Sequence, residues 1–356
     1  MASDALTQVD QDFREARVRV SAPPTRFYLN LTEHCSLRCQ HCITRAPERT
    51  QDGSARHMGE DVVAALTPHL RHAHYLGFTH AGEPLQAPAL VPVLRALQVE
   101  RGGQPTVVHT LTNGAGLTAQ RMTRLVELGV RSFSVSVDGM SRDTHDVLRL
   151  GSRIDQLLPR LRELAVMRRT TFPDVRLGVA WTVTAANLRE VPALIGFAAE
   201  VGLSWVKLEE VYPINPSAQR LAAIRAEDLG TALADADALA AALGVPLLFH
   251  LNQPPFLTCQ LRPGSAEERF SRLDDLCNRM TINPCRMPYE VCCVEPNGDV
   301  RPMSFHHPVA GNLLVTDLVE LWNSRFFLEE RARARAARVC QPGAVICPAD
   351  GGPERW

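Results

Sequence analysis

The chain has 356 residues, of which 45% are hydrophobic and 22% are charged. This composition is ordinary for a globular enzyme and excludes a disordered or fibrous protein. Lysine and arginine total 38 and aspartate and glutamate total 39, for a net charge of −1. The chain therefore has no general electrostatic attraction to nucleic acid or to an anionic membrane, and we expect neither as a partner.

The amino terminus predicts the compartment. Residues 1–13 are polar and acidic, they lack the basic start and apolar centre of a signal peptide, and no 18-residue apolar run occurs in the chain. We therefore expect a cytoplasmic protein. Its ten cysteines would lie in a reducing environment, where cysteines are more often metal ligands or reactive thiols than disulfides.

Short β-like runs alternate with amphipathic helical segments from residue 27 onward, a pattern typical of βαβ units and a parallel sheet. Thr118 is the predicted N-cap of a helix that stops at Gly129, and Asn187 with Glu190 predicts a capping box. Six repeats fit a partial or full barrel or an open doubly wound sheet, and periodicity alone does not choose among them. The six predicted strands span residues 27–31, 75–79, 106–111, 132–137, 175–183 and 204–208.

The composition changes after residue 215. A long Ala-rich helix at 225–243 and a strand at 245–251 are predicted next, followed by a stretch rich in cysteine and proline. We interpret a basic run near the carboxyl terminus, which starts at Arg331, as a solvated helix face rather than a phosphate site. The predicted units are an N-terminal extension (1–25), a barrel (26–215), a connecting helix and strand (216–254) and a small C-terminal module (255–356).

Three cysteines follow the first predicted strand: Cys35, Cys39 and Cys42. In a parallel α/β sheet, the loops after the strands are where ligands bind. Three thiolates so closely spaced can hold one iron–sulfur cluster. The alternatives are a zinc site completed by His34 or His41, and three unligated thiols.

The C-x3-C-x2-C spacing resembles the radical S-adenosylmethionine (radical SAM) superfamily, and further motifs extend the resemblance over about residues 26–212. The sequence His-Ala-Gly-Glu-Pro at 80–84 resembles the family's Gly-Gly-Glu motif, with Ala81 in place of one glycine. Thr-Asn-Gly at 112–114, Ser-Val-Ser-Val-Asp-Gly at 134–139, and His145 with Arg149 are similar to family segments after the next strands. The resemblance implies an α/β fold, a partial (β/α)6 TIM-like barrel with a small Cys-rich α+β C-terminal module.

The resemblance also implies cofactors. Cys35, Cys39 and Cys42 would bind three irons of a [4Fe-4S] cluster and leave the fourth open to SAM, and an external reductant such as flavodoxin or ferredoxin would supply one electron. Glu83 and nearby backbone would receive the ammonium group of SAM, and Arg149 would pair with its carboxylate. The other residues assigned to SAM are Asn113, Ser136 and Asp138.

The C-terminal cysteines resemble the auxiliary-cluster module called SPASM, or its shorter twitch form. Met303 stands where that pattern has a cysteine, so one ligand is missing. We favour one auxiliary iron–sulfur cluster over zinc or no metal, with Cys293, His306 or His307 as substitutes for the missing ligand and Cys259 as a non-ligand. The predicted ligands are Cys285, Cys292, Cys340 and Cys347.

The sixth strand carries the candidate substrate residues Lys207, Glu209, Glu210 and Tyr212. A lysine in a buried strand is costly unless it is paired with an acid. Lys207 with Glu209 or Glu210 would therefore bind a polar substrate or transfer a proton; the alternative is a structural ion pair. Only 26 residues precede the first strand, fewer than a peptide-recognition domain needs. We therefore expect a small polar metabolite, such as the sugar, aminocyclitol or nucleoside part of an antibiotic, with a peptide or protein as the alternative substrate. A non-catalytic zinc-binding protein is the competing class.

Overall fold

The computed structural model describes residues 2–78, 81–250, 286–302 and 307–336. Ten strands form one sheet in the order β12-β11-β10-β1-β3-β4-β5-β7-β8-β9, and β2 pairs with β6 in a separate two-stranded ribbon. The strands are β1 (Arg26–Leu29), β2 (Arg38–Cys39), β3 (Tyr75–Phe78), β4 (Val107–Thr112), β5 (Val130–Ser136), β6 (Arg149–Leu150), β7 (Arg176–Val183), β8 (Val206–Glu210), β9 (Leu247–His250), β10 (Val291–Val294), β11 (Asp299–Arg301) and β12 (Gly311–Asn312).

The predicted α/β class and all six predicted strands are confirmed. From β1 to β9 every strand of the main sheet pairs in parallel with its neighbours, and the strand expected at 245–251 joins as β9 beside β8. No pairing closes the sheet between β9 and β12 within the described ranges.

The helices are α1 (Ala2–Arg14), α2 (Ala46–Gln51), α3 (Glu60–Leu66), α4 (Leu90–Arg101), α5 (Ala119–Glu127), α6 (Ile154–Thr170), α7 (Val191–Val201), α8 (Pro216–Leu221), α9 (Ala226–Leu243), α10 (Leu318–Trp322) and α11 (Arg325–Ala336).

The two faces of the sheet differ in chemistry. On the helix-covered face, strand residues such as Phe27, Phe133 and Val179 share one hydrophobic core with Leu94 of α4 and Leu194 of α7. Burying each such side chain fully stabilises the fold by roughly 1.5–3 kcal/mol. Because side chains alternate along a strand, the residues between them point to the opposite face, which we call the inner face. It carries polar side chains: Tyr28, His109, Ser132, Ser134, Ser136, Lys207 and Glu209.

The carboxyl-terminal residues extend the same sheet. β10 pairs in parallel with β1, and β11 and β12 follow in antiparallel order. The amino-terminal segment packs beside them, since the Trp322 Nε1–H donates to the carbonyl of Ala22 at 2.9 Å. The predicted extension and the described part of the predicted C-terminal module are therefore in direct contact. Within the described residues, no helix combines the length and the apolar character that crossing a membrane requires.

Arg331 was expected to lie on a solvated basic helix face, and at this position the prediction is wrong. Its side chain is fully buried, and its guanidinium lies 4.6 Å from the ring centre of Trp322. It donates hydrogen bonds of 2.8–3.0 Å to the carbonyl oxygens of Pro288, Val18 and Trp322. Burial lowers the pKa of Arg331 to about 10. The side chain ties α11 to the amino-terminal segment and is not available to a phosphate.

Two predicted helix starts have different outcomes. The Thr118 side chain accepts from the backbone N–H of Arg121, which confirms this N-cap of α5. The predicted capping box of Asn187 and Glu190 is wrong, because α7 begins only at Val191. Asn187 instead donates to the carbonyl oxygens of Asp138 and Thr182, and Glu190 accepts from Ser141. Both side chains join the loop after β7 to the loop after β5.

Candidate functional site

The cysteine loop lies at the carboxyl end of β1, where the predicted site belongs. Cys35, Cys39 and Cys42 are free thiols, each partly exposed. The backbone N–H of Cys35 donates to Thr50 Oγ1 at 3.0 Å, and that of Cys42 donates to the carbonyl of Cys39 at 3.3 Å. Cys39 is held from the other side by the ribbon, in which it pairs with Arg149. The loop is therefore fixed at several points between its thiols.

Side chains from two other strand ends point at the sulfurs. Asn113 Nδ2, after β4, donates to Cys35 Sγ at 3.7 Å, and Arg149 Nη1 donates to Cys39 Sγ at 3.6 Å. Burial raises the pKa of Cys35, and it raises the pKa of Cys39 to about 12. These thiols are thus protonated until a positive centre binds and displaces the protons. N–H donors aimed at sulfur fit a thiolate-ligated iron–sulfur cluster, whose potential depends on such bonds.

The zinc alternative finds no support in the described ranges. There, no three Cys, His, Asp or Glu side chains are placed to hold a single metal ion. His41 Nε2 lies 3.1 Å from Asp138 Oδ2, and the His34 ring stacks on His57. The His41 imidazole is therefore engaged by Asp138.

The loop after β3 packs closely against the backbone of the cysteine loop. A Cβ at Gly82 would lie 2.2 Å from the carbonyl oxygen of His34 and 2.7 Å from that of Thr32. The next backbone N–H, of Glu83, donates to the carbonyl of His34 at 2.7 Å. Only glycine permits this approach. Ala81 replaces the family's other glycine and has a φ of 59°, a conformation that costs an alanine about 1–2 kcal/mol.

Glu83 has a more internal role than expected. Its carboxylate is buried and accepts from Thr112 Oγ1 at 2.7 Å, from the Asn113 N–H at 2.7 Å and from the Leu85 N–H at 3.1 Å. Burial raises its pKa, although these donors offset part of the effect. The carboxylate thereby fixes the turn that carries Asn113. Binding of the SAM ammonium by Glu83 itself stays a prediction.

Asp138 is the most highly connected polar group of the site. Its carboxylate is fully buried and pairs with Arg149 Nε and His41, and it accepts from the Thr182 N–H at 2.7 Å. Burial opposes ionisation, but Arg149 and His41 hold the pKa of Asp138 well below its usual range. Because protein donors occupy both oxygens, Asp138 orients Arg149 and His41. Direct contact of Asp138 with SAM stays a prediction.

His145 supports Asp138 through the backbone. Its Nδ1 accepts from the Asp138 N–H at 3.1 Å, and its Nε2 lies 2.9 Å from Ser152 Oγ. An Nδ1 that accepts must be unprotonated, so the ring is neutral with hydrogen on Nε2. Burial lowers the pKa of His145 to about 4, which agrees with this form. His145 was recognised only by its spacing from Arg149, whereas His41 was missed as a partner of Asp138.

The candidate substrate residues lie on β8. Lys207 is 1% exposed and forms an ion pair with Glu209, two residues away on the inner face. Glu210 lies on the alternate side of the strand, and Tyr212 follows its end; both are partly buried. Ser136 ends β5 on the inner face, opposite Ala180 of β7. Lys207, Glu209 and Ser136 therefore share one face, and Glu210 does not.

The buried polar atoms that have no hydrogen-bond partner in the described chain include Asn30 Oδ1 and Ser134 Oγ on this inner surface. Asn30 Nδ2 donates to Glu295 Oε2 at 2.9 Å, which places a carboxylate from beyond β10 beside the end of β1. Gly178, next to Ser134, leaves room for the Trp205 ring, since a Cβ there would lie 2.1 Å from the indole. The sequence analysis did not single out Asn30 or Glu295, and it included Ser134 only as part of the motif at 134–139.

The predicted auxiliary ligands are mostly outside the described residues. Cys285, Cys340 and Cys347 fall there, as do Met303 and His306. Cys292 is fully buried in the hydrophobic core on the helix-covered side of β10, where burial raises its pKa strongly. Cys293 points to the other side and packs with Tyr28 and Tyr75. Cys292 has no ligating neighbour in the described ranges, and because its predicted co-ligands lie outside them, its role as an auxiliary ligand stays a prediction.

Comparisons with known proteins agree with this geometry. Residues 29–174 match the model of the Radical SAM superfamily. The chain is 28% identical over 194 residues to AdoMet-dependent heme synthase of Methanosarcina barkeri, covering 52% of this chain and 50% of that protein. It is 22% identical over 314 residues to mycofactocin maturase MftC of Mycobacterium tuberculosis, covering 87% and 73%. The chain spans about half the length of the first of these curated relatives.

Solved structures show the same fold. SuiB of Streptococcus suis superimposes with a TM-score of 0.64 at 14% identity, over 93% of this chain and 72% of that one. The structure of anSMEcpe with bound AdoMet gives a TM-score of 0.59 at 16% identity, over 86% and 79%. Residues 29–174 thus form a radical SAM domain, the kind of domain that holds a [4Fe-4S] cluster and SAM.

Proposed function

We propose, from the premise that this chain carries a radical SAM domain, that the protein cleaves SAM reductively and removes a hydrogen atom from a polar substrate. The observation that carries the proposal is the loop with Cys35, Cys39 and Cys42, at which Asn113 and Arg149 aim N–H groups at two of the three sulfurs. Three thiolates leave one iron of a [4Fe-4S] cluster open, as a catalytic metal requires.

The residues of the chain then have separate tasks. When bound, the cluster and SAM supply a hydrogen-atom acceptor strong enough for an unactivated C–H bond. Arg149 keeps N–H groups for the SAM carboxylate while Asp138 fixes its orientation. Ser136 offers a hydroxyl at the end of β5, and the loop at Gly82 and Glu83 offers backbone groups to the ammonium. Burial of these groups excludes water from the reacting atoms.

We further propose that the substrate lies against the inner face, near Lys207 and Glu209. A buried ion pair costs desolvation energy that its attraction only partly offsets, so retention of the pair favours a role with a polar ligand. Asn30 Oδ1 and Ser134 Oγ add unsatisfied hydrogen-bonding groups on the same face. These features support a small polar metabolite of the sugar, aminocyclitol or nucleoside type, which the reaction would dehydrogenate, epimerise, dehydrate or decarboxylate.

A peptide or protein is the second candidate substrate. The specific observation in its favour is the match to mycofactocin maturase MftC, which extends over 87% of this chain and therefore beyond the radical SAM domain. SuiB has been solved with a bound precursor peptide, and its fold covers 93% of this chain. An auxiliary cluster held by cysteines outside the described residues would accompany either substrate.

The test is anaerobic reconstitution with iron and sulfide, followed by incubation with SAM and dithionite. We expect a brown protein that forms 5'-deoxyadenosine, and loss of about four irons per chain and of the product in Cys35→Ser. Cys259→Ser is the matched control, since it replaces a cysteine outside the loop that is not a predicted ligand. A wild-type protein that binds iron but forms no 5'-deoxyadenosine would exclude the proposed activity.

Two sets of deuterated compounds then separate the substrate classes. One set contains aminocyclitols, sugars and nucleosides, and the other contains peptides encoded beside the gene. Deuterium should appear in 5'-deoxyadenosine with a member of the first set. Transfer from a peptide alone would replace the small-metabolite proposal with the maturase. The iron content decides the auxiliary cluster, since about four irons per chain correspond to one [4Fe-4S] cluster and about eight to two.

A further inference from the structure

The β2–β6 ribbon has two unlike sides. Cys39 and Arg149 form one pair of its ladder, and their side chains meet on the side of the cysteine loop. Arg38 and Leu150 form the neighbouring pair, so their side chains point to the opposite, outer side. Leu150 is 43% exposed there. The outer side is thus separated from a cysteine sulfur by the thickness of a single strand.

Further apolar side chains border this outer side. Val147 is 49% exposed, and its carbonyl accepts from Gln40 Nε2 at 2.8 Å. Ile214 is 46% exposed and precedes Asn215, whose Nδ2 donates to the carbonyl of Gln40 at 3.3 Å. Single exposed apolar residues are normal, but a group of them marks an interaction site. We call Arg38, Val147, Leu150 and Ile214 the ribbon surface.

The surroundings of the ribbon surface are positively charged, although the chain as a whole has a net charge of −1. Arg38 has no acidic partner within the described part of the chain, and Arg142 and Arg153 share one partner, Asp155. In segments 38–45, 142–155 and 214–221, the exposed arginines are Arg38, Arg45, Arg142, Arg153 and Arg220, and the acidic residues are Asp143, Asp146 and Asp155. An apolar centre with arginines is typical of the core of a protein interface.

We propose that the ribbon surface is the docking site of an acidic one-electron carrier protein of the flavodoxin or ferredoxin type. The inference rests on the proposed function, because it assigns a route to the cluster at Cys35, Cys39 and Cys42. In the step, the reduced carrier loses one electron and the cluster gains it, and no bond or proton is exchanged. Redox partners meet through small, transient interfaces. Opposite charge raises their rate of encounter.

The experiment compares two electron sources on the reconstituted enzyme. One assay uses flavodoxin with its reductase and NADPH, and the other uses dithionite, which needs no docking site. The variants are Arg38→Glu and Val147→Glu. The matched control is Val166→Glu, because Val166 is 50% exposed on α6 and lies outside the three segments. Carrier binding is measured separately, as a Kd at low and high salt.

We expect both ribbon variants to weaken flavodoxin binding about tenfold at low salt and to slow flavodoxin-driven formation of 5'-deoxyadenosine in proportion. Dithionite-driven formation should match the wild type, and Val166→Glu should match it in both assays. High salt should diminish the effect of Arg38→Glu, because screening removes its electrostatic part. Ribbon variants that bind flavodoxin like Val166→Glu would overturn the docking site, whereas a wild-type enzyme inactive with dithionite would overturn the proposed function instead.

Discussion

The two described cysteine regions differ in how the backbone presents sulfur. Cys35, Cys39 and Cys42 lie on a loop at a strand end, partly exposed, with N–H donors from Asn113 and Arg149 at two of the sulfurs. Cys292 and Cys293 lie on β10 and are fully buried. Because strand side chains alternate, these two point to opposite faces and cannot converge on one centre. Close spacing of cysteines in the sequence therefore predicts a shared metal site only where the backbone turns, because a turn can bring their side chains together.

The largest contrast between these regions is expected from removal of one thiol in each. Cys39→Ser should abolish iron binding at the loop and 5'-deoxyadenosine formation, with little change in folding stability. Cys292→Ala should leave both unchanged and lower the free energy of unfolding by roughly 1 kcal/mol, since it removes a buried apolar atom. Iron analysis and denaturant titration measure the two effects. Loss of iron in Cys292→Ala would instead support its predicted role as an auxiliary ligand.

Gly82→Ala tests whether the loop geometry itself makes the difference. An added Cβ would meet the carbonyl oxygens of His34 and Thr32, and backbone atoms cannot yield as a flexible side chain would. We expect the cysteine loop to shift and iron incorporation to fall at least several-fold. Gly196→Ala is the matched control, because no atom lies within 4 Å of its added Cβ in α7. Equal iron contents in the two variants would show that the loop tolerates displacement.

The sequence predicted local features of the protein better than contacts between segments that are far apart in the chain. The positions of the six predicted strands and the Thr118 cap depend on nearby residues and were confirmed. The Asp138 contacts with His41 and Thr182 join loops far apart in sequence. They depend on which strand ends become neighbours at one edge of the sheet. The pairing of β10 with β1 spans more than 260 residues, and no local pattern encodes such a partner.

Asp138→Asn tests the most connected of these contacts. Asparagine keeps the shape but leaves Arg149 without its buried anion, and breaking one side of a buried ion pair costs about 3 kcal/mol. We expect that loss in denaturant unfolding, together with weaker SAM binding in equilibrium dialysis because Arg149 loses its orientation. Asp155→Asn, at an exposed pair with Arg142, should change neither quantity measurably. Unaltered SAM affinity in Asp138→Asn would remove Arg149 from the cofactor site.

The smallest effect is expected from pH. The folded protein holds His145 neutral with a pKa of about 4, below the usual histidine value of 6.5, so the unfolded chain binds more protons between these values. The contribution of His145 to the free energy of unfolding is therefore fully present above pH 6.5 and decreases as the pH falls towards 4. His145→Gln should be less stable at pH 7, because it loses the neutral ring that accepts from the Asp138 N–H, but its stability should depend less on pH. Denaturant titrations of the metal-free protein between pH 4.5 and 7.5 give both slopes. If the free energy of unfolding changed equally with pH in the wild type and in His145→Gln, His145 would already be protonated in the folded protein. The acceptor contact that supports Asp138 would then be absent.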